Sequence, residues 1–121
     1  ILVTDSDSQA DEYLANPDCG LHFYFHYFKR MYLDRNAFDM LKPDTNMSDE
    51  ETTEEVVARS MVTWGSSDTV LDKLVELHTE WGDFGTLLMV GHDWDDAPMW
   101  QRSMKLLAEE VMPKFNQHVN A

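Results

Sequence analysis

An imidazole and three carboxylates follow a glycine in the stretch Gly91-His92-Asp93-Trp94-Asp95-Asp96. Imidazole nitrogens and carboxylate oxygens suit Zn, Mn or Fe, so the stretch is a candidate metal site. Ligands this close in sequence rarely converge on one ion unless glycines bend the chain between them, and no glycine interrupts residues 92–96. We therefore favour a polar loop without a metal, with Asp95 or Asp96 at the N-terminus of a following helix.

Other chemistry has weaker support in the sequence. His22 and His26 would share a helical face, but the H-E-x-x-H pattern of zinc enzymes is absent, and we interpret both as packing or surface residues. The turn at residues 65–67 could receive a phosphate through its backbone N–H groups, but a plain helix cap is the commoner explanation. No G-x-S-x-G elbow, P-loop or G-x-G-x-x-G pattern occurs.

Composition bounds the class of protein. The chain has 121 residues, the size of one domain or less, and 23 acidic against 9 basic residues give a formal charge of −14. That charge repels phosphate backbones and anionic lipid, so we expect neither nucleic-acid nor membrane partners. The single Cys19 cannot form an internal disulfide, and no apolar run is long enough for a membrane span or signal peptide. We expect a cytoplasmic protein.

The first half of the chain predicts a strand followed by helices. Residues 1–4 form a short apolar run, which predicts a strand that begins inside a longer protein. Ser6 and Gln9 have capping-box spacing, so a helix should follow and end before Pro17. Residues 21–41 carry aromatic side chains at helical spacing and nearly all round, which predicts a helix covered by parts outside the chain or by a second copy.

A further helix should begin at the capping box of residues 48–51 and continue past Val57 to Trp64, where Gly65 ends it. The next helix is predicted to begin at residues 66–69 and to end at Gly82.

Residues 86–90 are a continuous apolar run, the pattern of a buried parallel strand. Pro98 fits the first turn of a last helix, whose apolar stripe includes Trp100 and Met104 and which Pro113 should kink or end. The predicted order is β-α-(αα insertion)-α-β-α, with two parallel strands. Two strands are not a viable sheet by themselves, so either the missing strands come from elsewhere or the fold has been rearranged.

The order of four blocks resembles the C-terminal third of the bacterial luciferase-like flavin-dependent monooxygenases. The blocks are residues 3–10 (VTDSDSQA), 65–70 (GSSDTV), 84–94 (FGTLLMVGHDW) and 102–113 (RSMKLLAEEVMP). Residues 21–42 match loosely, and Ser67 stands where the family usually has proline. The resemblance implies a helix-rich α/β fold that forms the last two β/α units, plus a helical insertion, of a (β/α)8 TIM barrel. Residues 1–121 would be a single partial domain, divided into a β/α unit (1–16), the insertion (17–64) and an α-β-α end of the barrel (65–121).

The family resemblance also implies a reaction. Such enzymes use reduced FMN from a separate flavin reductase, together with dioxygen, to oxygenate a small organic substrate. The site of a barrel enzyme lies at the carboxyl ends of its strands, where the loop after residues 86–90 would fall. We therefore predict Gly91, His92 and Trp94 as walls of the flavin or substrate site, and assign no catalytic residue. Most flavin contacts would lie on absent earlier strands, so the segment alone should be inactive.

Three alternatives stay open. The chain could be an acidic, stand-alone module that self-associates through open strand edges and its aromatic face. It could be a metal-binding module centred on His92. It could also keep the barrel fold and use a deazaflavin in place of FMN.

Overall fold

The computed structural model describes residues 1–92 and 94–121. It is a helix-rich α/β fold in which helices surround a small parallel sheet. Its elements in chain order are β1 (Leu2–Thr4), α1 (Asp7–Ala15), α2 (Gly20–Asp34), a 3₁₀ helix (Phe38–Leu41), α3 (Glu54–Met61), β2 (Trp64–Ser66), α4 (Ser67–Trp81), α5 (Ala97–Leu106), a π-helical segment (Leu107–Val111) and α6 (Met112–Val119). Within the described residues no helix is long and apolar enough to cross a membrane.

The sheet separates two hydrophobic clusters. Strands β1 and β2 pair in parallel, with Leu2 opposite Trp64 and Thr4 opposite Ser66. Successive side chains of a strand point to opposite faces, so Leu2 and Val3 enter different clusters. Leu2 packs with residues of α1, α2, α3 and the start of α5, whereas Val3 packs with α4 and the residues from Leu106 onwards. Both side chains are fully buried.

The first predicted helix has the expected boundaries, whereas the second ends early. The Ser6 hydroxyl accepts a hydrogen bond from the N–H of Gln9 and begins α1, which ends at Ala15 ahead of Pro17. The predicted helix over residues 21–41 is shorter than expected, because α2 ends at Asp34 and the chain turns through Asn36 with a positive φ of 53°. A separate 3₁₀ helix then contributes the buried Phe38 and Leu41.

The capping box at residues 48–51 forms without starting the predicted helix. The N–H of Glu51 donates to the Ser48 hydroxyl, and the N–H of Ser48 donates to the Glu51 carboxylate. These bonds close a turn, and α3 begins later, with Thr53 as its N-cap.

The second strand of the sheet is not the one that we predicted. We expected residues 86–90, but β1 pairs with Trp64–Ser66, which we had placed at the end of a helix. The helical spacing of Val57, Met61 and Trp64 was misleading, since α3 ends at Met61 and Trp64 lies in a strand of three residues. Residues 86–90 are in neither helix nor strand. Among the described residues no strand pairs with them.

The last helix continues through Pro113. Proline lacks an N–H and its ring crowds the carbonyl four residues earlier, so we expected a kink or an end. The π-helical segment Leu107–Val111 precedes the proline, its wider turn gives the ring room, and the helix continues to Val119. Trp100 is buried as predicted, whereas Met104 is 49% exposed, which the predicted apolar stripe did not anticipate.

Candidate functional site

The loop that carries the candidate site residues lies at the amino ends of the two strands. Val90 and His92 line a cavity together with Ile1 and Thr63, which directly precede β1 and β2. We expected this loop at the carboxyl ends, because residues 86–90 were predicted to be a strand parallel to β1. Residues 86–90 form no strand, and the loop that follows them lines a cavity beside Ile1 and Thr63.

Asp95 joins this loop to helices α1 and α2. Its carboxylate accepts hydrogen bonds from the Tyr13 hydroxyl at 3.0 Å, the Gly20 N–H at 2.9 Å and the Trp100 indole N–H at 3.1 Å. Partial burial acts to raise the pKa of Asp95, but these donors, led by the Gly20 N–H, hold it below the ordinary value. Burial and the Asp95 carboxylate raise the pKa of Tyr13, so a neutral phenol donates to a carboxylate. Tyr13 and Gly20 lie far from Asp95 in the sequence, so residue spacing could not predict these contacts.

The three predicted site residues differ in their surroundings. Gly91 is exposed, and a side chain built on it would meet nothing within 4 Å. His92 is partly buried, with its ring centroid 4.4 Å from that of Tyr24 and 6.3 Å from that of Trp100. Trp94 is 48% exposed. Gly91 and Trp94 line one cavity with Trp100, whereas His92 lines another with Tyr24; we had assigned Tyr24 and Trp100 only to packing.

Two cavities open beside the loop. We call residues 83–92, between α4 and α5, the extended segment. One cavity, of about 340 Å³, lies between α2 and the end of this segment, and its lining includes Tyr24, Phe28, Leu88 and His92. The other, of about 210 Å³, is formed by apolar residues: Met89, Val90, Gly91, Trp94, Trp100 and Met104. Among the residues that the structure describes, no Lys or Arg lines either cavity.

The described residues do not support a metal site. Outside position 93, no group of three or more His, Cys, Asp or Glu side chains is arranged to hold an ion. Asp95 is engaged with Tyr13, Gly20 and Trp100, while Asp96 caps α5 by accepting from the Met99 N–H. Asp93, a candidate ligand in the sequence, lies outside the described residues. The preferred interpretation, a polar loop leading into a helix, agrees with the geometry of Asp95 and Asp96.

An internal carboxylate occupies the turn that we had considered for phosphate. Asp7 accepts from the Ser66 N–H at 2.7 Å and from the Thr69 hydroxyl at 2.9 Å, at the N-terminus of α4. The Ser66 N–H lowers the pKa of Asp7, with a smaller contribution from Thr69. Gly65 has a φ of +134°, and an added Cβ would lie 2.7 Å from Asp7 Oδ1. The turn is thus a tightly packed internal cap.

The carboxyl ends of both strands border a third cavity, of about 340 Å³. Thr4, Ser66 and Ser67 line it together with the charged Asp5, Asp68, Glu110 and Lys114. Lys114 forms an ion pair with Asp68 at 3.1 Å. The charged lining is therefore mostly acidic, and its one cation already has a partner.

Comparisons with known proteins give related matches in sequence and in structure. No family model matches the chain. The chain is 27% identical over 116 residues to the 3,6-diketocamphane 1,6-monooxygenase of Pseudomonas putida. The aligned region covers 95% of this chain and 30% of that enzyme. The chain is 36% identical over 62 residues to the 4-hydroxyprotoasukamycin monooxygenase of Streptomyces nodosus subsp. asukaensis, covering 51% of this chain and 17% of that enzyme.

A solved structure matches the fold. It is the oxygenating constituent of the 3,6-diketocamphane monooxygenase of Pseudomonas putida, a type II Baeyer-Villiger monooxygenase in complex with FMN. The TM-score is 0.76 at 26% identity, over 93% of this chain and 31% of that one. This chain therefore spans less than a third of the length of the relatives it matches. These matches confirm the resemblance that the motifs indicated: over nearly all of its length, the chain is similar to part of a luciferase-like flavin-dependent monooxygenase.

Proposed function

We propose that this chain is the C-terminal segment of an FMN-dependent luciferase-like monooxygenase that inserts one oxygen atom from O2 into a small organic substrate. The observation that carries the proposal is the structural match over 93% of this chain to an oxygenating constituent solved with FMN. Two matched relatives are named as monooxygenases, which supports the same reaction class. A separate reductase would supply reduced FMN, and a cytoplasmic location would suit a chain with a single, buried cysteine.

The fold supports the proposal that this segment belongs to a (β/α)8 barrel. Strand β1 leads into α1 and the parallel strand β2 leads directly into α4, which gives two β/α units. We predicted the helical insertion at residues 17–64; in this proposal it ends one residue earlier, because Trp64 begins β2. Residues 86–90 would supply a further strand once neighbouring strands are present. In this proposal residues 1–121 remain one partial domain.

The described residues do not by themselves fit FMN. Ligand pockets usually have volumes of roughly 300–1,000 Å³ with a few converging polar groups. The apolar cavity beside Gly91 and Trp94 has about 210 Å³, and no cation lines it that could pair with a phosphate. The cavity at the carboxyl ends of the strands has one lysine among three carboxylates. We therefore derive no reaction step through the flavin and expect the segment to be inactive alone.

Within the proposed enzyme, Gly91, His92 and Trp94 would still contribute a wall of the flavin or substrate site. Gly91 offers an uncovered backbone, and the rings of His92 and Trp94 offer flat apolar surface. Tyr24 and Trp100 would set the orientation of His92, because both contact its ring in the isolated chain.

A fluorescence titration of the purified chain with FMN tests the absence of a complete flavin site. We expect no saturable change in flavin emission up to about 100 μM, because affinity in that range needs several kcal/mol of specific contacts. The Trp94→Phe variant serves as a matched control, since it should give the same flat curve. Saturable binding at micromolar FMN that the substitution weakens would contradict the proposal that most of the site is missing.

A second candidate function is an acidic interaction module that associates with its own copies. Exposed large apolar residues favour it, among them Phe23, Tyr27, Trp81 and Leu88. The charge of −14 opposes self-association at low salt. Light scattering in low and high salt decides between the two: a monomer at high concentration in both would exclude the module, whereas a stable dimer would favour it.

The FMN in the matched structure favours FMN over the deazaflavin alternative.

A further inference from the structure

Two histidines of α2 each have one ring nitrogen that is hydrogen-bonded and one that is not. His22 donates through its Nε2–H to the Leu14 carbonyl at 2.7 Å, and His26 donates through its Nδ1–H to the Glu54 carboxylate at 3.0 Å. Carbonyl and carboxylate oxygens only accept, so the lone pair of each neutral ring lies on the other nitrogen, which is Nδ1 of His22 and Nε2 of His26. Among the described residues no group hydrogen-bonds to either of these two nitrogens.

Both rings line one open cavity of about 420 Å³ beside the N-terminal end of α2. The two histidines are four positions apart on one helix, a spacing that places Cβ atoms about 5–6 Å apart on the same face. Two imidazoles at that spacing can reach one ion through metal–nitrogen bonds of about 2.0–2.1 Å. Asp18 and Glu54 belong to the same lining, so its charge favours a cation. Lys29 pairs with Glu54 at 3.4 Å from outside that lining.

The hydrogen-bond partners of the two rings are those of metal-binding histidines. A histidine that ligates a metal usually donates its other N–H to a backbone carbonyl or a carboxylate, which fixes the tautomer and makes the ligand nitrogen more basic. His22 has the first kind of partner and His26 the second. Partial burial acts to raise the pKa of Glu54, but hydrogen bonds led by that from His26 hold it below the ordinary value. An ionised carboxylate therefore supports the His26 ring.

We propose that His22 and His26 form a binding site for one divalent late transition-metal ion such as Zn²⁺, with water molecules as the remaining ligands. Imidazole suits Zn, Cu and Ni, whereas Mg prefers oxygen ligands. The described residues hold no group of three or more converging ligands, which excludes a closed site but not an open one with two histidines and water. The sequence pattern gave both histidines only packing or surface roles, because it does not show how their rings are oriented. This inference goes beyond the proposed function and does not depend on a flavin.

Zinc titration of the purified chain by calorimetry, followed by NMR of the histidine rings, tests the site. We expect one ion to bind saturably and to shift the ring signals of His22 and His26. Saturating zinc should also raise the unfolding temperature, because the ion binds only the folded arrangement of the two rings. Mg²⁺ at the same concentrations should do neither. Equal responses to the two ions would overturn the proposal, since they would show only attraction of cations to an acidic chain.

Substitutions locate the ion. His22→Ala and His26→Ala should each weaken zinc binding at least about ten-fold, because one of two protein ligands is lost. The side chain of His26 is 60% exposed, so His26→Ala should fold normally. Glu54→Gln should cause a smaller loss, because the amide oxygen still accepts from His26 but carries no charge.

His118→Ala is the matched control for these substitutions. His118 lies in a separate cluster, with its ring centroid 5.8 Å from that of His78, and its loss should leave zinc binding unchanged. Binding that survives both His22→Ala and His26→Ala, or that is lost in His118→Ala, would place the ion elsewhere and overturn the proposal.

Discussion

Two apolar runs of this chain have similar sequences and different structures. Residues 2–4 form a strand whose side chains are almost completely buried. Residues 86–90 form no strand, and Leu88 and Val90 are 77% and 51% exposed. The first run has β2 on one edge and the Ser103 hydroxyl, which accepts from the Val3 N–H, on the other, whereas among the described residues no strand pairs with the second. A strand-like sequence becomes a strand only where its backbone groups find partners.

The largest expected difference between the two runs is in the contribution of their leucines to stability. Leu2→Ala removes a fully buried side chain and should reduce the free energy of unfolding by about 2–5 kcal/mol. Leu88→Ala removes an exposed one and should change it by less than about 0.5 kcal/mol. Urea denaturation of both variants measures the difference. Equal losses would mean that residues 86–90 are packed as tightly as β1.

The glycines of the two regions should differ next. Gly65, in β2, has a φ of +134° and no room for a methyl group, so Gly65→Ala should reduce stability by roughly 2–4 kcal/mol through strain and overpacking. Gly85, in the extended segment, has open space around it, and Gly85→Ala should be neutral or slightly stabilising. Thermal unfolding of the pair decides, and a costly Gly85→Ala would contradict the open environment of the segment.

Asp83 and Asp95 flank the extended segment and differ in their hydrogen bonding. Asp95 is hydrogen-bonded to three donors, whereas Asp83 pairs with His78 and its side chain is 93% exposed. Asp95→Asn should reduce stability by about 1–3 kcal/mol, because an amide NH2 replaces an acceptor oxygen facing buried donors. Asp83→Asn is the matched control and should have little effect in urea denaturation at pH 7. A neutral Asp95→Asn would show that the loop is not anchored there.

The smallest effect is a pH dependence from the same carboxylate. The pKa of Asp95 is lower in the folded chain than in the unfolded chain, so its contribution is fully present above the ordinary aspartate pKa of about 3.9. It is lost as the pH falls through the lowered folded value. The difference in unfolding free energy between the unsubstituted chain and Asp95→Asn should be constant from about pH 7 to 5 and shrink below about pH 4. A difference that grows in acid would contradict the lowered pKa.

Local signals in the sequence predicted much of the fold. Ser6 capping α1, Gly82 ending α4 and Pro98 in the first turn of α5 were predicted from neighbouring residues and confirmed by the structure. The identity of the second strand could not be predicted in this way. Trp64 fits a helical stripe as well as a strand, and pairing with residues sixty positions away decides which forms.

The same distinction between local signals and long-range contacts applies to the candidate site. The Asp96 cap follows from local chemistry, and the structure confirms it. Contacts of Asp95 with Tyr13 and Gly20 depend on the tertiary fold and had no counterpart in residue spacing. The position of the loop at the amino ends of the strands depends on residues 86–90 remaining unpaired. The roles of Gly91, His92 and Trp94 at a flavin stay a prediction.

Backbone amide exchange across both apolar runs tests the account most directly. The amides of Val3 and Thr4 should exchange slowly, because both residues are buried in the sheet. The amides of residues 87–90 should exchange at rates close to those of an unfolded peptide. Strong protection of residues 87–90, equal to that of β1, would show that they form a strand in this chain. That result would contradict the claim that the second apolar run lacks a partner.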